Sequence, residues 1–210
     1  MSDSVPVISY AAEVRRKALH LLALVIPAGI LWVGREVSLW ILVPLAVLAV
    51  LGDWSRQRVA WAREGLHRVF APLMRPEEIP PFGGRIVFNG ATTMMVAAAL
   101  SVALFPAALA ALGLAMQQTG DAAAALVGRK LGRTRWPGSP KSVEGTVAFA
   151  LVAALTAWVF AWTFGADVTL AQIAAGAAVG AVVEVLPLSI NDNLRVPLAA
   201  SLAMVVVGAV

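Results

Sequence analysis

Long apolar segments alternate with short polar stretches from residue 18 to the end of the chain. A run of about 20 predominantly apolar residues is enough for a helix to cross a bilayer. The pattern therefore predicts an all-α fold, a polytopic helix bundle integral to the membrane with about seven transmembrane helices. The predicted spans are residues 18–34, 37–51, 86–105, 107–128, 143–164, 168–188 and 194–210.

The polar stretches divide the rest of the chain. Residues 1–14 are weakly polar and are predicted to form a short cytosolic lead before a single transmembrane catalytic domain at 15–210. Within 52–85, apolar residues recur at helical spacing between 59 and 73 with charged residues among them. That spacing is typical of an amphipathic helix on the membrane surface, where it can frame a lipid entrance. A plain structural linker is the alternative.

Composition supports the membrane assignment. The 210 residues are 60% hydrophobic and 13% charged, and the mean hydropathy is +0.83. These values exclude an ordinary soluble domain. The chain has no cysteine, so a disulfide framework and thiolate metal sites are excluded as well.

Basic residues indicate the orientation of the bundle. With an internal N-terminus, Arg35 is the only one of the 16 Lys and Arg residues that faces the outside. This distribution follows the positive-inside rule and predicts a cytosolic N-terminus. The net charge of +4 then fits anionic lipid, so no nucleic-acid partner is expected.

One stretch combines an acid in an apolar segment, a basic loop and a turn that contains glycine. It is residues 120–146, GDAAAALVGRKLGRTRWPGSPKSVEGT. Carboxylates at membrane depth are costly, so Asp121 and Glu144 are candidate functional residues. The cations of the cytosolic loop 128–142 lie between them. Acids and bases on one side of a membrane indicate a metal and polyphosphate site.

The loop is predicted to end in an anion site. Pro137, Gly138 and Pro140 favour a tight turn, and Ser139 or Ser142 can cap the next helix. The N-terminus of that helix presents free N–H groups and the positive end of its dipole to a phosphate. Walker A spacing is absent from this stretch. The alternative is a solvated basic loop with an ordinary helix cap.

Further polar residues are predicted at the same face. Glu184 and Asp192 add acids there, as does Asp53. Asn89 lies one helical turn into the membrane from the side with the basic loops. There it either forms hydrogen bonds between helices or supports the residues of the site. Lys17 and His20 share one helical face, which either fixes orientation or touches a phosphate or lipid head group.

Several of these segments resemble a known family. Gly120-Asp121 through Gly128, with the run GSPKSVEGT at 138–146, is similar to the signature of the membrane CTP-dependent lipid kinases. These include dolichol kinase, phytol kinase and CTP-dependent diacylglycerol kinase, distant relatives of phosphatidate cytidylyltransferase. RKALH at 16–20 and Glu184 with DNLRVPL at 192–198 resemble the opening and closing segments. Pro140 departs from the family, which often has a polar or basic residue there.

The resemblance, over roughly residues 15–200, implies phosphoryl transfer from a nucleoside triphosphate, typically CTP, to a lipid alcohol, with Mg²⁺. Asp121, Lys141 and Glu144 are the predicted catalytic residues. The predicted nucleotide or phosphate ligands are Arg129, Lys130, Arg133, Gly138, Ser139, Lys141, Ser142 and Gly145. The predicted metal ligands are Asp121, Glu144, Glu184 and Asp192. Supporting or lipid-facing roles are predicted for Lys17, His20, Asn89 and Asn193.

The expected location is a prokaryotic cytoplasmic membrane, with the active site facing the cytosol and membrane lipids as neighbours. Two other functions stay open. A cytidylyltransferase would use a similar site but would leave a nucleotide on the lipid. A transporter or scaffold predicts polar residues across the bilayer midplane, whereas here they cluster at one face.

Overall fold

The computed structural model describes residues 14, 17, 18, 20–70, 74 and 78–209. The predicted lead at 1–14 therefore lies outside the described residues except for Val14. The part described is all-helical, as predicted, and its only β-type pairing is a single bridge between Arg135 and Ser142. The helices are α1 Val25–Arg58, α2 Ala60–Phe70, α3 Gly90–Leu104, α4 Ala107–Leu131, α5 Val143–Phe164, α6 Leu170–Val185 and α7 Asp192–Gly208.

Helix α1 is interrupted by a kink at Gly34. This residue has φ 80° inside the helix, a conformation that glycine adopts without the steric cost of a side chain. The next residue, Arg35, donates to the carbonyl oxygen of Ala103 at 2.6 Å and to that of Phe105 at 3.2 Å, at the far end of α3. The break thus separates the two segments that the sequence predicted as the first two spans.

Helix α4 is the centre of the bundle and packs against α1, α3, α5, α6 and α7. Small residues let it approach its neighbours closely, as in membrane bundles generally. A Cβ atom at Gly120 would lie 2.7 Å from the Phe149 ring of α5, and one at Gly145 would lie 2.9 Å from the Ala124 carbonyl oxygen. These contacts hold α4 and α5 together next to the loop that joins them.

The outer surface of the bundle is apolar. The segments His20–Arg58 and Val143–Phe164 are long and apolar enough to cross a membrane, and Gly90–Leu104 and Leu170–Val185 are shorter apolar helices. Large apolar side chains such as Trp32, at 85% exposure, face outward. These two segments and this surface indicate that the protein associates with a membrane.

The lengths of α3 and α4 place Asp121 level with the start of α3. Helix α3 has 15 residues and α4 has 25, and the two meet at Pro106. At about 1.5 Å per residue, Asp121 on α4 is level with Gly90, the first residue of α3. Helix α4 continues to Leu131, so the α4–α5 loop lies beyond this level.

Candidate functional site

Asp121 forms a salt bridge with a lysine of the N-terminal segment. The Lys17 ammonium contacts Asp121 Oδ2, and Lys17 itself is 2% exposed. His20 lies on the same side, with Nε2 3.7 Å from that oxygen. The structure therefore brings the two residues of the predicted face, Lys17 and His20, to the central acid.

Lys141 is held by two acids from neighbouring segments. Its Nζ lies 2.7 Å from Glu184 Oε1 on α6 and 3.0 Å from Asp192 Oδ2 on α7. It also donates to the Glu184 carbonyl oxygen. Arg195, one turn along α7, donates to Asp192 Oδ1 from Nε at 2.8 Å and to the Leu186 carbonyl oxygen at 2.7 Å. The loop lysine is thereby tied to the end of α6 and the start of α7.

A polar cavity of about 70 Å³ lies beside these pairs. It is lined by Glu78, Gly90, Asp121, Asn191, Asp192 and Asn193. Asn193 joins three elements there: its Oδ1 accepts from Gln117 on α4 at 2.8 Å, and its Nδ2 donates to the Gly90 carbonyl oxygen at 3.1 Å. Glu78 accepts from the Gly90 N–H at 3.0 Å. The cavity thus presents carboxylate and amide groups from several segments.

The α4–α5 loop is a short hairpin. Ser139 N–H donates to the Trp136 carbonyl oxygen at 3.1 Å, and Gly138 between them has φ 70°. With Pro137 before it, this is the geometry of a type II turn. The Val143 N–H closes the hairpin on the Thr134 carbonyl oxygen at 2.9 Å.

The carboxylate of Glu144 supports that loop. Its Oε1 accepts from the backbone N–H of Arg133 at 3.0 Å and of Thr134 at 3.1 Å. Glu144 is not among the residues that line the cavity. The structure therefore places it at the α4–α5 loop rather than beside Asp121 and Asp192.

Helix α5 begins as the sequence predicted. Ser142, which is buried, is the N-cap and accepts from the Gly145 N–H at 3.1 Å. A Cβ atom at Gly128 would lie 3.0 Å from Ser142 Oγ. The absence of a side chain at Gly128 therefore lets α4 pack against the Ser142 cap. Ser139 does not cap the helix, and its Oγ accepts from the Lys141 N–H at 3.3 Å.

The other polar residues that the sequence placed at this face divide into two groups. Arg129, Lys130 and Arg133 are exposed around the end of α4. Asn89 is the N-cap of α3 and is also bound to Asp53, which accepts from its backbone N–H at 2.8 Å. Asn89 and Asp53 thus fix the start of α3, next to the cavity residue Gly90.

Some of the four predicted carboxylate ligands fit a Mg²⁺ ion. Among the described residues, no three His, Asp or Glu side chains form a group that holds a metal by itself. Mg²⁺, however, is usually held by one or two carboxylates together with water and substrate phosphates. Asp121 and Asp192 line the same cavity and suit that role. Glu144 serves the loop and Glu184 holds Lys141, so neither fits it in this arrangement.

The sequence did not predict the cavity residues Glu78, Gly90 and Asn191, or Gln117, which donates to the cavity residue Asn193. Gln117 precedes Asp121 by four positions on α4, and this helical spacing is a signal that could have identified it. Asn191 adjoins the predicted acid Asp192. Glu78 lies in a proline-rich stretch without helical periodicity, so no pattern in the sequence indicates it.

Comparisons with known proteins identify one relative of undefined function. The chain is 28% identical to an uncharacterized protein of Rickettsia prowazekii over 188 residues, covering 89% of this chain and 90% of that protein. No family model matches the chain. No solved structure matches it either.

Proposed function

We propose that this protein is a membrane lipid kinase that transfers a phosphoryl group from a nucleoside triphosphate to a lipid alcohol. The observation that carries the proposal is that two groups of ion pairs meet at the polar cavity, which forms a recess in an apolar bundle. Asp121, paired with Lys17, and Asp192, which shares Lys141 with Glu184, both line this recess. Charged residues inside an apolar bundle are costly and usually serve function. The resemblance of 138–146 to the CTP-dependent lipid kinases makes CTP the expected donor.

The proposal includes the topology of the bundle. About seven helical spans cross the membrane, with the break at Gly34 separating the first two and with α3 to α7 supplying the rest. The loops that carry most of the basic residues face the cytosol. Helix α2 then lies on the membrane surface, with Trp61 at 79% exposure available to the lipid.

The proposed chemistry follows from the charges of the site. Phosphoryl transfer requires positioning and charge neutralisation more than covalent catalysis. The lipid hydroxyl oxygen bonds to the γ-phosphorus while the bond from that phosphorus to the β–γ bridging oxygen breaks, and the nucleoside diphosphate leaves. The hydroxyl proton passes to a carboxylate that lines the cavity, Asp121 or Asp192.

The remaining residues bind and orient the donor. Lys141 supplies a compact charge suited to phosphate, and the N–H groups of the α4–α5 loop and of the α5 N-terminus supply donors. The exposed cations Arg129, Lys130 and Arg133 attract the triphosphate to this end of the bundle. Asp121 and Asp192 are the residues that would hold Mg²⁺, which supplies charge neutralisation on the phosphates when it is bound.

The test is a transfer assay with the purified full-length protein in lipid nanodiscs. A polyprenol, phytol, diacylglycerol and phosphatidate are each incubated with CTP, or with ATP, labelled either at the γ-phosphate or in the nucleoside. A γ-phosphate label on one of the alcohols is the expected result.

Two other outcomes contradict the kinase. A nucleoside label on phosphatidate, with release of pyrophosphate, assigns the cytidylyltransferase reaction to the site. Absence of label on every lipid, in protein that remains folded, favours a transporter or scaffold. Asp121→Asn is the inactive control, because it keeps the size of the side chain and removes its charge. Its unfolding is measured beside the assay, since the substitution also removes the pair with Lys17.

A further inference from the structure

Three acids at or beside the recess, Asp121, Glu184 and Asp192, are already paired with basic residues of the same chain. Arg195 occupies Asp192 Oδ1, and the lysines contact the other carboxylate oxygens. Asp121 is paired with Lys17. Glu184 and Asp192 are both within 3.0 Å of Lys141 Nζ. The ammonium thus lies between two carboxylates, the position in which two acids usually hold a cation.

A divalent cation cannot share this arrangement at low cost. A metal bound to Asp192 beside the Lys141 ammonium would bring two like charges together in a partly dehydrated recess, where repulsion is stronger than in water. Glu184 is 4% exposed, and its charge is costly to leave unpaired. Lys141 therefore competes with a metal for these acids.

Resting on the proposed function, we infer that Lys141 fills a cation site made by Glu184 and Asp192 in the nucleotide-free protein, and that a divalent cation enters only with a polyphosphate. The phosphates attract Lys141 away from the acids, because an anion with several negative charges competes with them for the ammonium. Glu184 and Asp192 Oδ2 are then released to the metal that accompanies the phosphates, whereas Arg195 keeps Asp192 Oδ1.

Coupling of this kind is reciprocal. If the polyphosphate raises the affinity for the metal, the metal raises the affinity for the polyphosphate by the same factor. The nucleotide-free protein then does not hold a metal in the recess. The site assembles around the metal–nucleotide complex as a unit.

The test measures Mn²⁺ binding to the full-length protein in detergent by electron paramagnetic resonance, without any phosphate compound present. We expect weak binding to the wild type. Lys141→Met and Lys141→Gln remove the ammonium and are expected to bind Mn²⁺ at least about fivefold more tightly, the lower range of a typical coupling. Arg85→Met is the control for the loss of one positive charge, since Arg85 is an exposed cation outside the site.

A second measurement does not depend on transfer. Mg²⁺ alone should raise the unfolding temperature of the two Lys141 variants and leave that of the wild type unchanged. Tight Mn²⁺ binding by the phosphate-free wild type overturns the inference even where the variants fail to fold. So does equal weak binding by the wild type and the folded variants. These outcomes are separate from the kinase assay, because a wild type that binds Mn²⁺ alone can still transfer phosphate, and one that transfers nothing can still show the effect of Lys141.

Discussion

The ammonium of Lys17 pairs with the carboxylate of Asp121, 104 positions later in the chain. Lys17 is almost fully buried, so this pair joins the N-terminal segment to the central helix α4 at the level of the polar cavity. Pairs with a buried member are costly to break, because the remaining charge loses a partner ion in a poorly hydrated position. The contact links the stability of the bundle to its candidate site.

Removal of either charge alone should destabilise the protein. We expect Lys17→Met or Asp121→Asn each to lower the free energy of unfolding by about 3 kcal/mol, the lower range for removing one partner of a buried ion pair. The double variant Lys17→Met/Asp121→Asn should lose much less than the sum, because neither charge remains. Denaturant unfolding in detergent measures these differences, with Arg85→Met as control. Additive losses would contradict the coupling.

Lys141 and Arg135 lie in the same loop but make different contacts. Lys141 reaches Glu184 and Asp192, whereas Arg135 donates to the Pro140 carbonyl oxygen within the hairpin. We expect Lys141→Ala to lower the rate of transfer by about 100-fold at any ionic strength, as for other preorganised donors. Arg135→Ala should have a small effect that decreases with salt. Rates measured from low to high salt decide the point, and equal salt-sensitive losses would contradict the phosphate role of Lys141.

Glu144 should act by holding the α4–α5 loop. Its carboxylate accepts from the N–H groups of Arg133 and Thr134. Glu144→Ala removes both acceptors, and we expect a higher KM for the nucleotide and faster trypsin cleavage after Arg133. Glu144→Gln keeps one carbonyl acceptor and should recover part of both properties. Full loss of kcat in the glutamine variant, with trypsin resistance unchanged, would instead place Glu144 at the reacting phosphates.

His67 on α2 should make stability depend on pH. Burial and then the charges of Arg63 and Arg56 lower its pKa below the usual 6.5. The unfolded chain therefore binds more protons than the folded one between that lowered pKa and 6.5, so the free energy of unfolding decreases as the pH falls through this window. His67→Gln should show a smaller decrease in denaturant titrations at pH 7 and pH 5. An unchanged difference between the two pH values would contradict the assignment.

The orientation of the bundle can be tested by labelling. The chain has no native cysteine, so single cysteines report position directly. Ser55→Cys, Thr134→Cys and Asn191→Cys should react with a membrane-impermeant maleimide only from the cytosolic side. Glu36→Cys and Asp167→Cys should react only from outside. Access to Thr134→Cys from outside alone would reverse the proposed topology.

Much of the helical layout follows from local pattern. Apolar runs predict helices because buried backbone groups in such segments must pair within the helix. Pro137 and Gly138 predict the turn, and Ser142 predicts the start of α5, because a few neighbouring residues decide these features. The observed helix Val143–Phe164 has the predicted bounds.

Periodicity does not determine which charged groups meet. The sequence placed Glu144 with Asp121 because both are acids near one face, but its carboxylate turns to the α4–α5 loop. Gln117 donates to the cavity residue Asn193, and Glu78 in the cavity accepts from the Gly90 N–H. These contacts depend on the order in which the helices pack.

The sequence by itself determined the all-helical fold, the polar end of the bundle and the residue types that cluster there. Only the tertiary structure decided that Lys17 meets Asp121 and that Lys141 lies between Glu184 and Asp192. The physical reason is the separation along the chain of the residues that interact. Helices and turns arise from backbone sterics and hydrogen bonds among neighbouring residues, whereas a salt bridge across the bundle depends on how α4, α6 and α7 pack, which the spacing of residues along one helix does not specify.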